Sequence, residues 1–180
     1  MKKNYVKQLC LCAILAAFCF VLDYGTTWLN SISGVFKLPL SALTIIIAAV
    51  MCGPFMGAAV GLTGTFLAQL VTYGLTPTTV LWILPAGIRG VCMGFLFIAF
   101  KRSMKTLPLA AEITISSVIV TAVNTLVIYL DSVIYGYYSP AVVLGGLFIR
   151  IITAVISSVV FAIILPPIVR VIDKQMKKQA

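Results

Sequence analysis

Charged positions are rare along this chain, and they fall between long apolar stretches. Gln8–Leu22, Leu38–Ile88, Ile113–Leu130, Ser132–Ile149 and Ile151–Val169 carry no charge at all. About 20 apolar residues of helix cross a hydrocarbon core ~30 Å thick. The first run, continued past Asp23, predicts one crossing over 8–30. Proline and glycine divide the others. Pro39, Pro54, Pro108 and Pro140 each stand where a helix can begin, a place that needs no N–H donor. Further spans are expected at 39–52, 55–73, 79–100, 108–130 and 141–166. The second is short, so it should be shielded by its neighbours or tilt little.

Lys2, Lys3 and Lys7 ahead of an apolar run resemble the start of a signal peptide. No A-x-A cleavage site follows and further spans come at once, so the segment is read as the first helix. There is no fixed-period repeat, low-complexity segment or linker. The expectation is a single six-helix membrane domain over 1–180.

Composition narrows the class. The chain is 62% hydrophobic and 9% charged, against ~45–50% and ~25% in soluble domains. It cannot cover a water-facing surface. A soluble enzyme, a disulfide scaffold and a disordered linker are excluded, leaving an all-α polytopic membrane protein. The net charge of +9 would suggest nucleic acid in a soluble protein. Here the charges sit at span ends, so the bilayer surface accounts for them and no nucleic-acid partner is inferred. With the N-terminus inside, Lys2, Lys3, Lys7, Lys101, Arg102, Lys105, Arg170, Lys174, Lys177 and Lys178 are all cytoplasmic, and only Lys37 is outside. This bias predicts cytoplasmic termini in a plasma membrane. The basic tail after Pro166-Pro167 is expected to lie along the inner leaflet.

Two cations break the pattern. Arg89 and Arg150 each fall about ten residues into a predicted span, near mid-membrane. One reading seals them with internal acceptors such as Asn124 or a main-chain carbonyl. The other has them bind a carboxylate or phosphate, for which the guanidinium fork is suited. Aromatic residues are also lopsided. Tyr24, Trp28, Tyr73, Trp82, Tyr129, Tyr135, Tyr137 and Tyr138 fall outside, and only Tyr5 inside. They form either an uneven interfacial belt or, in part, the stacking wall of a pocket open to the exterior. Trp82, Tyr73 and Tyr129 are the candidates for that wall, and Asn124 is the candidate for hydrogen bonding to a ligand.

Small residues recur at helix spacing, as Ala13-x-x-x-Ala17 and as Gly53, Gly57 and Gly61 with Gly64 close by. Such stripes let helices approach closely, within one chain or against a partner subunit. Cys10, Cys12, Cys19, Cys52 and Cys92 read as small buried hydrophobes. No metal site or cofactor is expected. Histidine is absent and no Walker-type loop occurs, so neither a Ser/His pair nor nucleotide hydrolysis is available. No acid falls mid-span to carry protons. The chain can bind a solute, yet it shows no engine.

The size, the six spans, the Lys-rich N-terminus and Ala13-x-x-x-Ala17 resemble the substrate-binding (S) component of an energy-coupling factor vitamin transporter. The stretch Cys52-Gly53-Pro54-Phe55-Met56-Gly57-Ala58-Ala59-Val60-Gly61 is similar to that family's turn between helices two and three. The resemblance implies capture of a water-soluble vitamin from outside, with a site built mainly by helices four to six and the outer loops. It implies a membrane coupling subunit and two cytoplasmic ATPases as partners, with helix one facing the coupling subunit. It also implies that the protein topples in the membrane to release its ligand inside. Tyr73-Gly74-Leu75-Thr76-Pro77-Thr78-Thr79 is broadly similar to the third outer loop of folate-type members, though less rich in Phe, Pro and Gly. Folate heads the ligands considered, followed by pantothenate, cobalamin and vitamin precursors. The rivals are a stand-alone secondary transporter or channel, driven by an ion gradient and indifferent to ATP, and a scaffold that binds no solute.

Overall fold

The structure, a computed structural model, describes residues 2–33 and 39–178. Lys37 lies outside the described residues, and the side chains of Lys2, Lys3, Lys177 and Lys178 are not described. Among the described residues seven helices form: α1 (Lys2–Ser33), α2 (Ser41–Cys52), α3 (Pro54–Tyr73), α4 (Thr79–Ala99), α5 (Thr106–Ile134), α6 (Pro140–Leu144) and α7 (Leu147–Lys178). Five segments are long and apolar enough to cross a membrane, the last running from Pro140 to Ile172 through α6 and α7. With the shorter α2, they make the six passes of an all-α membrane protein.

Proline starts the helices largely as its chemistry requires. Pro54 and Pro140 open α3 and α6, Pro108 sits in the first turn of α5, and Pro39 stands two residues before α2. Gly53 joins α2 to α3 with φ +96°, a conformation that L side chains rarely adopt.

Two expectations change. The predicted sixth span is split by a turn at Gly145-Gly146, so Arg150 lies in the first turn of α7 rather than deep within one helix. The last span, expected to end at 166, runs on through Pro166-Pro167 to Lys178. Beyond the prolines, Val169 is buried in the core and Ile168 and Ile172 pack against it. These apolar contacts hold the start of the tail on the bundle.

α2 is buried on nearly every side, with Ser41, Ala42, Thr44 and the run Ile45–Ala49 all inside. That explains how twelve residues suffice: the helix meets protein rather than lipid over most of its surface. It packs against α1, α3 and α4, while α5 packs against α4 and α7. Cys12, Leu15 and Cys19 of α1 join the core. Cys10 does not, being exposed on α1. Ile14, Phe18 and Val21 on α1, Val118 and Val133 on α5, and Val155 and Val159 on α7 also point outward. Apolar rows of this length are covered by lipid tails.

The glycine stripe closes the interior. A Cβ on Gly57 would lie 2.6 Å from Ala49 Cβ, and one on Gly61 would lie 2.6 Å from the Ala86 carbonyl oxygen. One on Gly90 would lie 2.3 Å from backbone atoms of Gly57 and Ala58. Gly57 and Gly61 are therefore filled against this chain's own helices and offer no surface to a partner. Gly53 is half-buried at the turn. Ala13 and Ala17 are exposed and remain open to one.

Gly90→Ala is expected to destabilise the fold by about 1–3 kcal/mol, because backbone of α3 must move. Gly25→Ala, with nothing within 4 Å of the new carbon, should be neutral or stabilise by up to about 1 kcal/mol. Thermal unfolding in detergent separates the two.

Candidate functional site

A cavity of about 380 Å³ opens between the helices. Its lining follows the helical repeat. α4 contributes Trp82, Pro85, Ala86 and Arg89; α5 contributes Ser117, Val120, Thr121, Asn124 and Ile128; α7 contributes Ile149, Arg150, Thr153, Ala154 and Ser157. Each set follows the i, i+3, i+4, i+7 spacing of one helix face. α1 adds Asp23 and Thr26, α2 adds Ser41, Ala42 and Ile45, and α3 adds Thr65 and Gln69, with Pro39 preceding α2. The volume falls within the ~300–1,000 Å³ range of small-ligand sites.

Four of the six residues expected to meet a ligand share this hollow: Arg89, Arg150, Asn124 and Trp82. Tyr73 and Tyr129 do not line it. Tyr73 is the last residue of α3, one turn beyond Gln69, and is 63% exposed. Tyr129 follows the lining residue Ile128, so the helix turns it about 100° away. It meets Tyr138 edge-on at 5.6 Å.

Neither guanidinium has a charged or hydrogen-bonding partner among the described residues. Nη1 of Arg150 is sealed from the surface and donates to nothing. Its guanidinium folds back over Gly146, where a Cβ would come 3.2 Å from Nη2. Asn124 makes no bond to either arginine. Glu112, fully buried in α5, is not among the lining residues and its carboxylate oxygens have no partner. Burying a cation without an acid is costly, and it is tolerated where water or a ligand reaches the group.

The hydroxyls are differently disposed. Thr121 donates to the Ser117 carbonyl at 2.8 Å, Thr153 to Ile149 at 2.8 Å and Ser157 to Thr153 at 2.7 Å. Their protons are used within their own helices, which leaves oxygen lone pairs as acceptors. On the opposite pair of helices, Ser41 Oγ donates to Asp23 Oδ1 at 3.2 Å, joining α2 to α1. The hollow thus combines donors from two arginines and an amide with a set of acceptors. The sequence reading passed over Thr65, Gln69, Thr121, Thr153 and Ser157. Their signal was polar residues repeating at three or four positions inside otherwise apolar spans.

Residues 3–172 match the family described as ECF-type riboflavin transporter, S component. The chain belongs to this family. The match takes in every described span, so the hollow lies within the part that defines the S component. No curated protein and no solved structure matches the chain. As an S component it is a substrate-binding subunit of a vitamin transporter in the plasma membrane. Its class is transport.

The cavity should admit water-borne reagents from outside. In a background with the five cysteines replaced, Asn124→Cys is expected to react with an external membrane-impermeant thiol reagent about tenfold or more faster than Ser158→Cys, whose site is buried beside the lining. Equal rates would deny the opening.

Proposed function

We propose that this S component captures a ring-bearing, acceptor-rich vitamin in the α1–α5/α7 hollow and passes it inward with a membrane coupling subunit and two ATPases. The unpartnered guanidiniums of Arg89 and Arg150 carry this reading. Riboflavin is the first ligand, on the strength of the family. Its ring carbonyls accept from guanidinium and amide donors, and its ribityl hydroxyls donate to the threonine and serine oxygens. Trp82 offers an aromatic face to the ring system. Arg89, Arg150 and Asn124 supply the donors.

Folate is the second reading. It is favoured by the same two cations, because a carboxylate pairs with guanidinium more strongly than a neutral carbonyl does. Titrating the purified chain with riboflavin and with folate decides between them. Riboflavin should bind with Kd below about 1 μM; binding of folate alone would reverse the order. No binding of any vitamin, or ion-driven transport by the chain alone, would defeat the reading.

The exposed Ala13 and Ala17 on α1 give the coupling subunit a close approach. Arg150→Ala should weaken vitamin binding by about 2–5 kcal/mol, measured by calorimetry on folded protein. Replacing Ala13 and Ala17 together by leucine should leave that affinity unchanged and abolish ATP-dependent uptake into proteoliposomes holding the complete transporter.

A further inference from the structure

The outer rim of the hollow is tied by a carboxylate. Asp131, near the end of α5, is 7% exposed. Its Oδ1 accepts a hydrogen bond from Trp82 Nε1 at 3.1 Å, across 49 residues of sequence. Its Oδ2 accepts from the Tyr137 hydroxyl. The Thr78 side chain faces the same group from the start of α4. One side chain thus joins the beginning of α4, the end of α5 and the connector into α6.

The connector itself is folded. Tyr137 N–H donates to the Ser132 carbonyl at 3.0 Å, and Tyr135 N–H to the Asp131 carbonyl at 3.0 Å. The bond to Asp131 raises the Tyr137 phenol above its ordinary pKa, which keeps it a donor. Because the carboxylate is engaged by an indole and a phenol, it does not quench either arginine of the hollow. The indole it holds is itself part of the cavity wall.

We propose that Asp131 is a positioning residue for ligand capture: it fixes Trp82 in the cavity wall and clamps the rim, slowing escape of the bound molecule. The effect on the ligand rests on the vitamin site proposed above, whereas the effect on Trp82 does not. Indole N–H to carboxylate is a charge-assisted bond, so its loss should free the ring to leave the wall.

The test uses the full chain in detergent with Trp28→Phe, which leaves Trp82 as the single tryptophan. Without ligand, Asp131→Leu should raise acrylamide quenching of Trp82 about twofold or more. With riboflavin, it should speed release about tenfold, read by flavin fluorescence. Asp131→Asn keeps a side-chain oxygen for the indole and should bring quenching back to within about 1.3-fold of the parent and release to within about threefold. Unchanged quenching and unchanged release in Asp131→Leu would overturn the proposal. So would equal effects of Leu and Asn, which would mark a structural role. If Asp131→Leu aggregates, Tyr137→Phe takes its place. It removes one donor and should give faster release, and an unaltered rate there counts against the clamp. Should the parent bind folate and no riboflavin, release is read with folate; should it bind no vitamin, the function proposed above fails, and the quenching comparison alone decides whether Asp131 seats Trp82.

Discussion

Two guanidinium groups inside a lipid-facing bundle, neither bonded to a carboxylate among the described residues, govern this structure. A cation taken out of water must recover its solvation from protein, ligand or water. Here no carboxylate among the described residues bonds to either group. Asp131 is engaged by Trp82 and Tyr137, Asp23 lines the hollow but accepts from Ser41, and Glu112 is outside the hollow. The bundle therefore has to keep a polar hollow around Arg89 and Arg150, and serine, threonine and amide side chains from α1, α2, α3, α5 and α7 line it. The apolar exterior and the close glycine contacts serve to surround that hollow with a continuous wall.

Much of the fold was legible because the membrane imposes a simple rule: charges mark the ends and prolines the beginnings. α3, α4 and the start of α5 fall where the pattern placed them. The split at Gly145-Gly146 was not legible. Each glycine is compatible with a continuing helix, and only the folded backbone shows the turn. The passage of α7 through Pro166-Pro167 was hidden for a related reason. Local preference says stop, and burial of Val169 against the core says continue.

The site was half legible. A charge in an apolar run announces itself, so Arg89 and Arg150 stood out; Trp82 came from the lopsided aromatics and Asn124 from being a polar side chain inside a span. Tyr129 failed because outer position and aromatic character do not fix the face of a helix; one residue of rotation takes it from the cavity to the rim. The role of the glycines could not be assigned from spacing, which is the same for packing within a chain and between chains. Built Cβ positions settle it for Gly57 and Gly61, whose room is already used by Ala49 and Ala86. The tie from Asp131 to Trp82 was invisible, since nothing local relates two positions so far apart in sequence.

The brevity of α2 has a mechanical consequence. Twelve residues of helix rise only about 18 Å, well short of a hydrocarbon core ~30 Å deep. Its first residue, Ser41, already borders the hollow, so this part of the wall ends at the depth of the site. The longer helices around it match a full-thickness bilayer, and α2 does not. Because α1, α3 and α4 stand around α2, its shortfall leaves depth for the hollow above Ser41 and makes no step in the surface that lipid covers.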